Sequence, residues 1–288
     1  MPIRFSGLLV LLFVLCGLTT ANAQTLEFGV KAGAAIYSGD LSPREFALDP
    51  EDLNFAGGLY LRYRPTTRFG VRVNGNFGRI SAERDDLVGR NENLELVPIS
   101  RNFRSSITEF NLVAEYDLFY LGNPDGNFFA PYIYGGVGVL SFNPEGELDG
   151  VFTELQPLRT EAQGSGLNPR YDATPYELTT VVGVLGGGVR VRFADRIVIG
   201  LEVGGRKTGT DYLDDISDTT VSYLDVLQGD NGGLAARFSN PAVQNVGEVG
   251  DLTYRRGGDA EDYYLIGSLT VGITIGASGS NKSGCYKF

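Results

Sequence analysis

The 288-residue sequence contains no histidine. Side-chain chemistry near neutral pH therefore lacks its usual general base and its commonest metal ligand. No nucleophile-elbow motif offsets this absence. The sequence thus argues against an enzyme, and it predicts no catalytic residue, no cofactor and no metal site.

Basic charge is also scarce. The chain has 24 lysines and arginines against 35 aspartates and glutamates, a formal net charge of −11. Nucleic acids need a basic surface to neutralise their phosphates. The balance therefore excludes a nucleic-acid partner.

Long hydrophobic runs are missing except at the amino terminus. Arg4 precedes an apolar run over residues 8–18, and the small residues Ala21 and Ala23 then flank Asn22 as at a signal peptidase site. The run is too short for a membrane-spanning helix. We therefore expect residues 1–23 to be a signal peptide. The alternative is lipidation at Cys16, but Leu15 before it is bulky and the better cleavage site lies further along.

Cysteine is almost absent, and only Cys285 would remain after removal of residues 1–23. In an oxidising compartment a lone thiol is either free or joined to another molecule. Both interpretations stay open, and the second predicts an intermolecular disulfide at Cys285.

The chain does contain eight segments in which apolar and polar residues alternate, as in strands with one buried face. The first, for example, places Leu26, Phe28 and Val30 on one face and Glu27 and Lys31 on the other. The eight segments lie at about residues 26–37, 54–64, 69–77, 109–118, 129–142, 189–193, 196–206 and 263–275.

The connections between these segments alternate in length. Three are short, at 65–67, 121–127 and 194–195, and four are long, at about 39–53, 82–102, 143–175 and 210–260. Short periplasmic turns and long outer loops are typical of outer-membrane β-barrels. The pattern predicts an all-β, eight-stranded antiparallel transmembrane β-barrel over residues 24–277 in the cell outer membrane, with a periplasmic tail over 278–288.

A secreted β-sandwich would alternate in the same way, but two observations favour the membrane. Aromatic residues gather near both ends of the apolar face, as in the two interfacial girdles of a barrel. They are Phe55, Tyr63, Phe69, Phe77, Phe110, Tyr116, Phe129, Phe193 and Tyr263. The polar face also carries many charges of both signs, which a sandwich core cannot bury unpaired.

An eight-stranded barrel has room inside for side chains only. We therefore predict an ion-pair network that plugs the lumen, formed by Arg62, Arg72, Glu109, Glu115, Arg190, Glu202 and Arg206. Arg196 is also predicted to point inward, and Gly136, Gly138, Gly186 and Gly188 to make room for large inward side chains. Carboxylate pairs in this set could alternatively be catalytic.

The run from Arg206 to Ser217, with Asp211, Tyr212, Leu213, Asp214 and Asp215 at its centre, carries a family resemblance. It resembles the PorG-like outer-membrane barrels associated with type IX secretion in Bacteroidota. Residues 37–41 and 131–138 support the resemblance, which extends over essentially the whole mature chain. The resemblance implies a structural accessory that anchors periplasmic or lipoprotein components of the secretion machinery. The loop over about 210–260 is long for that family.

Other functions stay open beside this one. A small porin would need a lumen that eight strands do not provide, whereas a surface-binding adhesin could use the long loops. Asp211, Asp214, Asp215 and Asp218 could hold a hard cation. The alternative is an acidic, solvated loop base, or carboxylates that pair with Arg206 and Lys207.

Overall fold

A computed structural model describes residues 25–42, 50–167, 169–193, 196–250, 252–258 and 261–275. The predicted signal peptide over 1–23 and the predicted tail over 278–288 with Cys285 lie outside the described residues. Neither helix in the described part of the chain is long and apolar enough to cross a membrane.

Eight antiparallel strands form a closed ring. In chain order they are β1 (Thr25–Ser38), β2 (Asn54–Arg64), β3 (Phe69–Arg90), β4 (Leu96–Asp117), β5 (Phe128–Leu148), β6 (Thr179–Phe193), β7 (Ile197–Thr208) and β8 (Tyr263–Ile275). Each strand pairs with the next, and β1 pairs with β8, so that Leu26 lies opposite Ile275. The ring confirms the predicted eight-stranded antiparallel barrel.

The alternation of side chains gives the barrel two different surfaces. On β2, Leu59 and Leu61 are about half exposed, while the intervening Tyr60 and Arg62 are buried. The same pattern holds along the other strands because successive side chains of a strand point to opposite faces. An apolar outer wall around a polar interior requires lipid outside.

The short and the long connections lie at opposite ends of the barrel. The register places Thr25 opposite Arg64 and Leu26 opposite Ile275, so the start of β1 and the end of β8 lie at the end of the short turns. The turn between β4 and β5 contains a two-residue strand, Leu121–Gly122, that pairs with the start of β5. The long connections all leave from the opposite end.

The predicted loop over 82–102 is wrong. This segment is mostly strand, because β3 and β4 each have 22 residues and pair to a tip at 91–95. A transmembrane strand needs only ~9–11 residues. At ~3.3 Å per residue the hairpin therefore extends roughly 35 Å beyond the bilayer core. A bulge between Arg84 and Leu87 shifts the register by one residue. The buried positions Ile80 and Ala82 precede it.

The other long connections fold over the barrel mouth. They contain the short strands Val151–Glu154, Thr220–Ser222 and Thr253–Arg255, the 3-10 helices Pro50–Asp52, Gln156–Leu158 and Val246–Glu248, and the helices α1 (Tyr223–Leu227) and α2 (Gly232–Ser239). An apolar cluster holds the third and fourth connections together, formed by Leu155, Leu158, Ala162, Tyr171, Val221, Tyr223, Val226, Ala235, Ala236 and Leu252. We call this folded region the cap. It lies beside the extended hairpin, since the side-chain amide of Asn240 donates to the carbonyl of Arg90.

Candidate functional site: a plugged lumen beneath a folded cap

Glu115 on β4 is the centre of the barrel interior. Its carboxylate forms ion pairs with three guanidinium groups, whose nearest nitrogens are Nε of Arg62 at 2.7 Å, Nε of Arg72 at 2.8 Å and Nη1 of Arg190 at 2.8 Å. These three arginines come from β2, β3 and β6, and all four side chains are almost fully buried. One carboxylate therefore ties together strands on opposite sides of the lumen.

Glu202 on β7 extends the network to β1 and β5. It binds Nη1 of Arg72 at 2.7 Å and Nζ of Lys31 at 3.1 Å, and the hydroxyl of Tyr132 donates to it at 2.7 Å. Arg72 thus links the Glu115 and Glu202 groups. Nearer the mouth, Nε of Arg206 lies 3.3 Å from Glu109.

Tyrosine rings fill the space between the charged groups. The guanidinium of Arg62 lies 4.9 Å from the ring centre of Tyr60, and that of Arg190 lies 4.6 Å from the ring centre of Tyr132. Such cation–π contacts stabilise a desolvated cation. The tyrosines also use their hydroxyls as donors, as Tyr60 does to Glu27 at 2.7 Å. The tyrosine rings therefore fill the lumen between the charged side chains, which neutralise one another.

Glycines create room for these rings. A Cβ at Gly29 would overlap the ring of Tyr60, and one at Gly186 would overlap the ring of Tyr134. The prediction for Gly186 agrees with this geometry. At Gly136 and Gly138 a Cβ would meet the backbone of β4 instead, so those two glycines allow close approach of the strands.

The structure places all seven predicted lumen residues inside the barrel and joins each to at least one of the others. Arg196 is the exception among the wider predictions, because it is exposed in the short turn before β7. The predicted network did not include Lys31 and Arg64. Each lies at an inward position of its strand, so the alternation of inward and outward residues is sufficient to predict that it faces the lumen.

Above the charged plug, a layer of apolar side chains separates the lumen from the cap. It includes Tyr37, Ile80, Phe103, Phe142, Leu213 and Ile216. The ring of Tyr37 packs edge-on against that of Phe103, with centres 4.7 Å apart. Since Leu213 and Ile216 come from the connection between β7 and β8, this layer attaches the cap to the barrel.

The Asp211–Asp215 motif lies at this junction. The hydroxyl of Tyr37 lies 2.7 Å from Oδ2 of Asp214 and 2.8 Å from Oδ1 of Asp262, and all three side chains are buried. The backbone N–H of Leu213 also donates to Asp262 at 2.7 Å. Burial, together with the proximity of the two carboxylates, raises the pKa of Asp214, and burial raises the pKa of Asp262. The pair therefore retains a proton well above the usual range of an aspartate.

The next residue, Asp215, forms a second buried group. Its carboxylate binds Nη1 of Arg256 at 3.1 Å and accepts from the hydroxyl of Tyr176 at 2.8 Å. Arg256 also reaches Glu161, 3.5 Å away. The motif thereby joins the end of β1 to both large cap segments, 149–178 and 209–262.

The interpretation of the acidic loop as solvated, or as paired with Arg206 and Lys207, is wrong for Asp214 and Asp215. Asp214 and Asp215 are buried, Arg206 pairs with Glu109, and Lys207 pairs with Glu261. The reason is tertiary, since the partners of the two aspartates come from β1 and from the far end of the same loop. Nor does the cation alternative gain support, because in the described ranges no three carboxylate or cysteine side chains are grouped to hold a metal ion.

A family model described as a domain of unknown function (DUF6089) matches residues 6–154, slightly more than half of the chain. The chain belongs to this family. The matched region ends at Glu154, the last residue of the cap strand Val151–Glu154, and so contains β1 to β5. A comparison with curated proteins found no match.

Solved structures that resemble the chain include three of low sequence identity. The N-terminal β-barrel domain of Pseudomonas aeruginosa OprF is 11% identical, covering 88% of this chain and 100% of that one, with a TM-score of 0.35. Neisserial surface protein A is 11% identical, with coverages of 88% and 99% and a TM-score of 0.39. Ail of Yersinia pestis, solved with the heparin analogue sucrose octasulfate, is 8% identical, with coverages of 88% and 100% and a TM-score of 0.38.

The strand pairing and the apolar wall decide the location. A closed antiparallel ring satisfies all backbone hydrogen bonds within the sheet, which is the condition for crossing a bilayer with strands. Such barrels, with short turns at one end and long loops at the other, are proteins of the outer membrane. This chain is an outer-membrane β-barrel.

Proposed function

We propose that the protein is a non-enzymatic, non-conducting barrel that anchors periplasmic components of a type IX secretion machine. The observation that carries the proposal is the plug: Glu115 and Glu202, with Arg62, Arg72 and Arg190, connect the walls across the lumen. A barrel filled in this way has no path for solutes. What remains for it is to hold other molecules at the membrane.

The resemblance of the Asp211–Asp215 motif to PorG-like barrels supports the choice of partner. Within the cap, the motif binds its own chain through Tyr37 and Arg256. Its role is therefore to fix the cap on the barrel, and the contact with periplasmic components belongs to the opposite end. There the short turns and the end of β8 at Ile275 lie on the same side.

The plug can be tested by electrical recording. Purified protein inserted into a planar bilayer should show no steady conductance. A large, stable conductance would contradict the plugged lumen and would favour the porin alternative.

The anchor can be tested by site-specific crosslinking in intact cells. A photo-crosslinking residue at Asp125, exposed in a short turn, should capture a periplasmic or lipoprotein component. The matched control carries the same residue at Asn93, exposed at the hairpin tip. If Asn93 captures the same protein and Asp125 does not, the anchor proposal fails.

A second function, a surface-binding barrel, is favoured by one observation. The cap has its own apolar cluster, with Val221 and Ala236 fully buried, and so presents a folded surface rather than flexible loops. Deletion of residues 223–239, which contain both helices, should then abolish ligand binding while the barrel still assembles. An anchor at the periplasmic end would tolerate the same deletion.

A further inference from the structure

The cap contains a pocket of about 380 Å³ where all four long connections meet. Its walls include Leu41 from the first connection, Ile99 and Arg101 from the extended hairpin, Leu155 from the third connection and Phe238 from α2. Binding sites for small molecules are commonly of this size. The lining of this one is mixed, since polar side chains such as Asn102 and Glu147 lie beside the apolar ones. Neither the lumen plug nor the anchor proposal uses this pocket.

Arg101 lines the pocket without a carboxylate partner. Its Nη1 donates to the carbonyl of Arg256 at 2.8 Å and its Nη2 to the carbonyl of Ser239 at 3.0 Å. A guanidinium has five N–H donors, so most remain available, and its Nε is buried with no hydrogen-bond partner. Among the residues that the structure describes, no carboxylate lies within ion-pair distance of Arg101.

The neighbouring charges do not compensate Arg101. Arg256 lies beside it, but Asp215 and Glu161 already bind that guanidinium. Ser239 ends α2, and the end of a helix supplies only part of a negative charge. Burial and the nearby Arg256 lower the pKa of Arg101 to about 10, so the group is still charged at neutral pH.

The fold holds this charge in a fixed place. The bulge on β3 begins at Arg84, the residue that lies opposite Arg101 in the register. Bulges occur next to binding sites because they direct a side chain away from the regular path of the sheet. The two backbone carbonyls then fix the guanidinium, and the Arg101 side chain remains partly exposed in the lining of the pocket.

We propose that this pocket binds a carboxylate carried on an apolar group, with Arg101 as the residue that takes the carboxylate. A planar guanidinium matches the two oxygens of a carboxylate. The apolar walls formed by Ile99, Leu155 and Phe238 accommodate the attached group. Glu147 and Asp149 also line the pocket and would repel a multiply charged phosphate, so a single negative charge fits best.

The test uses the purified full-length barrel in detergent and calorimetric titration. The probes are N-acetylphenylalanine, its amide, inorganic phosphate, and a short peptide that ends in phenylalanine with a free carboxylate. The acid should bind and the amide should bind at least tenfold more weakly. The peptide distinguishes a free small acid from the carboxyl terminus of a protein as the source.

Variants assign the binding to Arg101. Arg101→Gln should weaken binding of the acid at least tenfold. The matched control is Arg104→Gln, which removes a partly exposed arginine of the same strand that lies outside the pocket lining and pairs with Glu145, and it should change binding less than about threefold. Heat-modifiable migration on gels checks that each variant is folded, and Phe238→Ala replaces Arg101→Gln if the latter is not.

The proposal fails if wild-type protein binds none of the probes at millimolar concentration, or binds the acid and the amide equally. Tighter binding of inorganic phosphate than of the acid would overturn the assignment to a carboxylate. Unchanged binding by folded Arg101→Gln would overturn the role of Arg101. None of these results bears on the periplasmic anchor, which is tested at Asp125.

Discussion

Tyr37 and Asp214 lie 177 positions apart in the sequence, yet the hydroxyl of the first donates to the carboxylate of the second at 2.7 Å. This hydrogen bond joins the end of β1 to the long connection between β7 and β8. With Asp262 as its second partner, Tyr37 holds both ends of that connection at the barrel mouth. The cap is therefore fixed to the membrane-embedded part by one phenol and two carboxylates.

Tyr37→Phe should loosen the cap while the barrel remains assembled. The change leaves the two buried carboxyl groups without their shared hydrogen-bond partner, at a cost of about 1–3 kcal/mol. Hydrogen exchange should become faster in 209–258 and stay unchanged in the lower halves of the strands. The control is Tyr263→Phe, whose hydroxyl binds exposed Glu261. Equal protection of the cap in wild type and Tyr37→Phe would contradict this role.

Cap stability should decrease as the pH rises from about 4 to about 7. Burial, with the nearby Asp40 and Asp218, raises the pKa of Asp211 to about 7, above the ordinary value of 3.8. A carboxyl with a raised pKa binds its proton more tightly in the folded protein. Its contribution to stability is therefore complete below pH 4 and is lost as the pH rises through 7.

Asp211→Asn should flatten this pH dependence, since an amide does not titrate. Protease resistance of the cap, followed from pH 4 to pH 8, measures it. Asp86→Asn is the control, because its exposed carboxylate pairs only locally with Arg84. If the protease resistance of the cap depends on pH as strongly in Asp211→Asn as in wild type, a group other than Asp211 controls the pH dependence.

Glu115→Ala should destabilise the barrel by about 3–5 kcal/mol, because it leaves three buried guanidinium groups without their common partner. Urea unfolding followed by heat-modifiable migration measures the change. Glu145→Ala removes a half-exposed partner of Arg104 and should cost less than about 1 kcal/mol. Equal stabilities of the two variants would show that the plug does not support the barrel.

The long connections are expected to face the outside of the cell. Single-cysteine variants Asn93→Cys and Asp125→Cys, both with Cys285→Ser, can be treated with a membrane-impermeant maleimide in intact cells. Asn93→Cys should react at once, and Asp125→Cys only after the outer membrane is opened. The reverse order would invert the orientation.

Cys285 is predicted to form a disulfide with a periplasmic or lipoprotein component, with an incidental free thiol as the alternative. Non-reducing gels of whole cells with rapid thiol trapping should show a larger species that collapses on reduction. Cys285→Ser should remove that species and leave the barrel folded. A single monomeric band in wild type would decide for the free thiol.

The sequence by itself determined the barrel. Within the bilayer, successive side chains of every strand must face lipid and lumen in turn. The polarity of residues such as Leu59, Tyr60 and Leu61 therefore predicts which way each side chain points, even when its contacts are not known. The inward charges of Arg62, Glu115 and Glu202 were found for the same reason. The same pattern also places Lys31 on the inward face of β1.

Above the bilayer this local signal disappears. Residues 83–86 read Glu-Arg-Asp-Asp and predict a loop, although they continue β3, because a strand in water no longer needs an apolar outer face. Only the tertiary structure decided that Asp214 and Asp215 are buried, since their partners Tyr37 and Arg256 lie 177 and 41 positions away. Ion pairing and burial between distant segments depend on how the chain folds back, and neither spacing nor composition encodes that path.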